Sequence, residues 1–101
     1  MDELNFPEII KQQLYDFNTV MVWSWGVHDF IGNNEERSLI FKVSGHHFKG
    51  TVVIKLTWED LYLIKFINPM GTVVKEVDGV FCDQMNDVID EFVEKIPEYK
   101  Q

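Results

Sequence analysis

The sequence predicts an α+β domain: an antiparallel sheet of about five strands in a meander, with N- and C-terminal helices packed on one face. Three observations indicate this fold class. Apolar residues near both ends recur at helical spacings, the middle of the chain holds apolar segments typical of strands, and turn residues separate these segments. Because 101 residues suffice for one core, we predict a single domain over residues 1–101, in the order α-β-β-β-β-β-α.

The first helix is predicted to begin at Asn5-Phe6-Pro7-Glu8, where the asparagine can cap the helix and the proline lies in the first turn. Three apolar residues continue it at spacings of four and three: Ile10, Leu14 and Phe17. We expect this helix to end near Phe17-Asn18. From Thr19 the period changes to two, which predicts the first strand, up to a break at Gly32-Asn33-Asn34.

The centre of the sheet is predicted to be a hairpin of the third and fourth strands, Thr51 to Trp58 and Leu61 to Ile67. We expect the reversal at Glu59-Asp60, through either a two-residue loop or the four-residue loop Trp58 to Leu61. Side chains alternate along a strand, so both loops predict one aliphatic and one mixed face. The aliphatic face holds Val52, Ile54, Leu56, Leu63 and Ile67; the mixed face holds Val53, Lys55, Thr57, Tyr62, Ile64 and Phe66.

The remaining elements follow from the same patterns. The second strand is predicted over Arg37 to Ser44, and matching apolar faces pairs Val43 with Val52, Phe41 with Ile54 and Leu39 with Leu56. After a turn at Asn68-Pro69-Met70-Gly71, the fifth strand is predicted over Thr72 to Val77. One apolar stripe predicts the last helix, which Pro97 ends: Met85, Val88, Ile89, Phe92, Val93 and Ile96.

The formal charge of −8 is concentrated at the two ends of the chain. Residues 1–16 hold four acidic residues and one basic residue. Residues 17–75 hold five acidic and six basic residues, and residues 76–101 hold eight acidic and two basic residues. Binding to duplex nucleic acid requires a concentrated basic surface, so we expect none. Basic partners are electrostatically favoured.

Location and chemistry are constrained by what the sequence lacks. The single cysteine, Cys82, excludes an intrachain disulfide framework and favours a reducing compartment. No apolar run approaches membrane-spanning length and the N-terminus has no leader pattern, so we predict a cytoplasmic protein with no membrane partner. The motifs CxxC, HExxH and GxSxG and a phosphate-binding glycine loop do not occur. We therefore expect no enzyme activity, no cofactor and no metal site.

Two weaker groups of residues allow a structural and a functional interpretation. The loop Gly45 to Gly50 contains His46, His47 and Lys49, which suit a plain connector, a contact to an anion or acidic partner, or, less readily, a metal. Cys82 near the last helix is either a buried thiol or a nucleophile that needs a base such as His28.

Two surfaces are predicted to carry the interactions. Asp83, Asp87, Asp90 and Glu94 line one ridge of the last helix, which is either a solvated face or a surface for a basic protein, including a DNA-mimic role. The mixed sheet face, with Tyr62 and Phe66 beside Lys55, is expected to be exposed and to form a homodimer. The alternative for the same face is stacking of single-stranded nucleic acid on its aromatic residues.

Several short segments resemble a group of small, uncharacterised bacterial proteins of about this length that are often associated with mobile or prophage-like DNA. They are Trp23-Ser24-Trp25-Gly26, Phe41-Lys42-Val43, Phe48-Lys49-Gly50, Asp60-Leu61-Tyr62 and Phe81-Cys82-Asp83-Gln84, the last followed by Val88-Ile89-Asp90. The resemblance covers nearly the whole chain and implies no catalytic residue or ligand. Together with the surfaces above, it predicts an acidic, non-enzymatic interaction or regulatory module.

Overall fold

The fold is a five-stranded antiparallel sheet with a helix at each end of the sequence, as predicted. A computed structural model describes residues 5–45 and 48–93, without the side chains of Phe17, Asn18 and Met21. The helices are α1 (Phe6–Ser24) and α2 (Met85–Val93), and the strands are β1 (His28–Asn33), β2 (Ser38–Ser44), β3 (Lys49–Leu56), β4 (Tyr62–Ile67) and β5 (Val73–Val80). Neighbours in the sheet follow sequence order, so the strands form a meander.

Both helices pack on one face of the sheet, which we call the inner face; the opposite side is the outer face. The core between them is continuous and almost fully buried. From the strands it takes Leu39, Phe41, Val43, Val52, Ile54, Tyr62, Ile64, Phe66 and Val80. From the helices and the end of α1 it takes Ile10, Leu14, Val22, Trp25, Met85, Ile89 and Val93.

The segment from Thr19 to Ser24 is helical, so the prediction that the first strand begins there is wrong. Asn5 caps α1 as expected, its side chain accepting a hydrogen bond from the Glu8 amide at 3.2 Å. The helix then continues because Val22 and Trp25 are buried in the core, at 1% and 0% exposure. Burial of this stripe outweighs the modest strand preference of valine and tryptophan. The first strand is His28–Asn33 alone.

The predicted side-chain facing of β4 is also wrong. Leu56 pairs with Tyr62, so the chain reverses over the five residues 57–61, where loops of two or four residues were expected. Compared with a loop of two or four residues, a loop with an odd number of residues places every side chain of the following strand on the opposite face, because side chains alternate along a strand. Tyr62, Ile64 and Phe66 therefore point into the core, and Leu63 lies on the outer face.

The pairing of β2 with β3 differs from the predicted one by two residues, which preserves the faces. Val43 pairs with Gly50, Phe41 with Val52 and Leu39 with Ile54. At Gly50 a side chain would collide with the carbonyl of Ile67 and the ring of Phe48. The empty space lets Phe48 pack against two core rings, with centroid distances of 5.9 Å to Phe66 and 5.0 Å to Phe92.

The last helix is confirmed over the described residues. A short 3-10 helix, Cys82–Gln84, leads into α2, and Met85, Ile89 and Val93 are buried as the stripe predicts. Ile96 and Pro97, which were expected to extend and end the helix, lie outside the described residues. The fifth strand reaches Val80, three residues beyond its predicted end.

Candidate interaction surface

The outer face of the sheet is defined by the strand register. One row across the strands holds Ile31, Ile40, Val53, Lys65 and Glu76; a second holds His28, Lys42, Thr51, Ile67 and Val73; a third holds Asn33, Ser38, Lys55 and Leu63. Neither described helix lies on this side of the sheet. In the described part of the chain, the outer face therefore has no covering layer.

Aliphatic side chains of the outer face are most exposed on the edge strands β1 and β5 and are half-buried at its centre. Ile31 is 58% exposed and Val73 is 46% exposed, while Ile40, Val53 and Leu63 are half-buried. Ile31, Ile40 and Val53 are neighbours in one row, which makes this row a candidate contact surface.

Three lysines of the outer face, Lys42, Lys55 and Lys65, have an acidic neighbour in the same chain. The Lys55 ammonium lies 3.1 Å from a carboxylate oxygen of Glu36, and the Lys42 ammonium lies 4.0 Å from that of Asp29. Lys65 stands directly across from Glu76 on β5. These pairs are exposed and contribute little to stability. They do neutralise the face, which therefore does not present the concentrated basic surface that a polyanion requires.

The two edges of the sheet are irregular. The pairing of β1 with β2 shifts between His28 and Ile31, where Asp29 has a φ of 57°. The pairing of β4 with β5 shifts twice, and β5 carries Lys75, Glu76 and Asp78 in its middle. Bulges and charges of this kind block the addition of another strand. Contact through the outer face is thus favoured over contact through an edge.

One end of the outer face carries Trp58, which the sequence interpretation did not single out as a site residue. Its side chain is 87% exposed, and the guanidinium carbon of Arg37 lies 4.2 Å from its ring centroid. Arg37 also stacks on Phe6 at 4.9 Å and has a φ of 55°. Trp58 borders a depression of about 440 Å³ that also contacts Lys55 and Leu63 of the outer face. The sequence did contain a signal for this exposed residue, because Trp58 directly precedes Glu59-Asp60, the acidic pair of the predicted turn.

The opposite end of the outer face is formed by the turn between β4 and β5. Met70 in this turn is 88% exposed. Beside it lies a second depression, of about 430 Å³. Its walls are His28, Lys42, Val43, Ser44, Gly50, Thr51, Ile67, Asn68, Pro69 and Gly71. Both ends of the outer face thus combine a cavity with an exposed apolar side chain.

Tyr62 and Phe66 are not exposed, so the prediction that they form an open aromatic face is wrong. Their exposed fractions are 3% and 0%. The Tyr62 hydroxyl donates a hydrogen bond to the side-chain oxygen of Gln13 at 2.5 Å, which links β4 to α1. Burial raises the pKa of Tyr62 to about 12; charges at Cys82 and Asp60 act in the same direction, and Arg37 opposes them.

The acidic ridge of α2 divides into two kinds of residue. Asp83 and Asp87 are exposed, as an interaction surface requires. Asp90 is half-buried, and its carboxylate accepts a hydrogen bond from the indole nitrogen of Trp25 at 3.0 Å. Asp90 therefore ties α2 to the end of α1. Glu94 lies outside the described residues.

The remaining predicted residues are distributed along the sheet. Lys49 is exposed on the outer face opposite Ser44, and Lys55 lies there too, whereas His46 and His47 are outside the described residues. Cys82 is half-buried against the core. His28 belongs to β1 and Cys82 follows β5 at the opposite edge, about 19 Å away by strand spacing. His28 cannot act as the base for this thiol.

Two further classes of site, metal-ligand clusters and membrane-spanning helices, are not found in the described part of the chain. Over residues 5–45 and 48–93, no three His, Cys, Asp or Glu side chains converge as metal ligands would. Neither described helix is both long and apolar enough to cross a lipid bilayer.

Comparison with known proteins adds no family. No protein-family model, no curated protein and no solved structure matches the chain. The resemblance to small proteins of mobile elements stays a prediction.

Proposed function

We propose that the protein is a non-enzymatic interaction module that forms a homodimer by packing the outer faces of two copies together. The observation that carries this proposal is the uncovered aliphatic row Ile31, Ile40 and Val53, which runs from the edge strand β1, where Ile31 is 58% exposed, to the centre of the outer face. A second copy would cover Ile31, Ile40 and Val53 in each chain. Burial of such residues is the main driving force of association.

The charges of the outer face suit a second copy better than a strongly charged partner. Lys42 and Lys55 are each paired with an acidic residue of their own chain at the border of the face. An interface with an apolar centre and a rim of compensated charges can meet its own copy without strong repulsion. A polyanion would have to displace these pairs.

The size of the outer face indicates a weak dimer. Five strands about 4.8 Å apart and about 20 Å long give a face of roughly 500 Å². Two copies would bury roughly 1,000 Å² in total, near the lower limit for a specific interface. We therefore expect a dissociation constant in the micromolar range.

The dimer leaves the helical side of the molecule accessible to a protein partner. Asp83 and Asp87 are exposed there, on the side opposite the outer face. We assign to this acidic surface the contact with a basic protein. The alternative of single-stranded nucleic-acid binding has lost its basis on the sheet, because Tyr62 and Phe66 are buried and the described outer face is aliphatic.

A charge placed in the outer face tests the proposal. Ile31→Glu should weaken self-association at least tenfold, since a carboxylate would have to be buried in the interface. Val20→Glu is the matched control, because Val20 is an apolar residue 73% exposed on α1, away from the outer face. Light scattering after size-exclusion chromatography measures the mass of both variants. Equal association of Ile31→Glu and wild type would contradict the proposal.

A further inference from the structure

We propose that the two outer faces meet with their strands antiparallel, so that Trp58 of each copy packs against the turn Asn68–Gly71 of the other. This inference rests on the homodimer proposed above and specifies its geometry. It starts from two large apolar side chains, Trp58 and Met70, that are 87% and 88% exposed at opposite ends of the outer face. Strand β4 separates them and spans about 20 Å.

A two-fold dimer of two sheets packed face to face has two simple orientations. With the axis along the strands, each end covers the same end of the partner, and Trp58 meets Trp58. With the axis across the strands, each end covers the opposite end. In the second orientation each Trp58 meets the partner's turn with Met70 and the cavity of about 430 Å³, and by symmetry this contact forms twice.

The charges at the two ends favour the second orientation. The Trp58 end carries four acidic and two basic residues: Glu35, Glu36, Glu59, Asp60, Arg37 and Lys55. The turn end carries Lys42 and Lys49 with one acidic residue, Asp29, and it also holds His28. An acidic end over a basic end is attractive, whereas two acidic ends repel each other.

The side chains at each end fit the contact. Arg37 stacks on one face of the Trp58 ring at 4.2 Å, which restricts the ring before association and reduces the entropy lost on binding. Its other face is open to a partner. The turn offers Pro69 and Met70 beside the cavity of about 430 Å³, and both residue types make favourable contacts with aromatic rings. Exposed tryptophans that insert into such sites are typical anchors of interfaces.

The contribution of the anchor is tested by affinity. Trp58→Ala should raise the dissociation constant of the dimer at least tenfold. Trp23→Ala is the matched control, because Trp23 is 67% exposed on α1 and should leave the constant unchanged. Sedimentation equilibrium measures both. A wild-type dimer that Trp58→Ala leaves intact would overturn this geometry while preserving the homodimer.

The orientation is tested by cross-linking single cysteines in a Cys82→Ser background. Glu59→Cys adjoins Trp58 and Thr72→Cys adjoins the turn, and both positions are exposed. We expect a short bismaleimide to join a Glu59→Cys copy to a Thr72→Cys copy, distinguished by tags of different size, with little joining of Glu59→Cys to itself. Preferential self-joining of Glu59→Cys would establish the other orientation. A wild-type protein that sediments as a monomer would instead contradict the homodimer itself.

Discussion

At the scale of single residues, Asp90 holds the fold together although it belongs to an acidic ridge. Its carboxylate accepts a hydrogen bond from the indole of Trp25, a residue with no exposed surface. A buried N–H group without a partner is costly, so this acidic residue is required by the core. The sequence places Asp90 on the polar side of α2. It does not reveal the partner, because the contact forms only if α1 continues to Ser24.

Removal of this carboxylate should destabilise the protein. We expect Asp90→Ala to lower the free energy of unfolding by about 1–2 kcal/mol, because the Trp25 indole loses its acceptor. Asp87→Ala is the control, since Asp87 is exposed on the same helix, and it should change stability by less than about 0.5 kcal/mol. Urea unfolding measures both. Equal effects of the two substitutions would refute the structural role of Asp90.

Tyr62 makes the stability of the fold sensitive to alkaline pH. Burial raises its pKa to about 12 from the usual 10.0, so between these values the unfolded chain releases the phenolic proton and the folded chain retains it. The resulting stabilisation is complete below pH 10 and is lost as the pH rises through 12, by about 3 kcal/mol in total.

The variant Tyr62→Phe isolates this effect. Near neutral pH it should be about 1 kcal/mol less stable than the wild type, because the hydrogen bond to Gln13 is lost. Above pH 10 the wild type should lose stability faster than the variant. Urea unfolding at a series of pH values measures the difference. A constant difference between the two proteins from pH 8 to pH 11.5 would exclude the role of the buried hydroxyl.

At the scale of elements, the facing of β4 determines which side of the sheet is the core. Ile64 is fully buried on the inner face, and its neighbour Leu63 is half-buried on the outer face. Ile64→Ala should cost about 2–4 kcal/mol through loss of burial and the cavity left behind. Leu63→Ala should cost less than about 1.5 kcal/mol. Thermal and urea unfolding measure both, and a larger loss for Leu63→Ala would reverse the assignment of the faces.

Element types and their order could be predicted from the sequence, whereas one helix boundary and one facing could not. Val20 and Trp23 are 73% and 67% exposed on α1, so apolar residues occupy both sides of this helix and imitate a buried strand. The positions of Ile10, Leu14, Phe17, Met21 and Trp25 continue a helical spacing of three or four, and this was the signal for a longer helix. The facing of β4 depends on whether a loop has an odd or even number of residues, which composition does not determine.

At the scale of the whole molecule, the correction at β4 moves the candidate interface from aromatic to aliphatic residues. The sequence already indicated that one sheet face would lack a cover, and the fold retains such a face. Its residues change: Tyr62 and Phe66 enter the core, Leu63 and Ile67 of the same strand take their place, and Val53 stays on the uncovered face as predicted. The sequence did not single out Trp58. Its proposed role as an anchor depends on its position at one end of the outer face, beside Lys55 and Leu63, and only the fold shows this position.

The most direct test of the proposed dimer is sedimentation equilibrium of the wild-type protein from low to high micromolar concentration. We expect the average mass to rise from the chain mass of 11.9 kDa towards twice that value, with a midpoint in the micromolar range. A mass that stays at 11.9 kDa over the whole range would contradict self-association through the outer face.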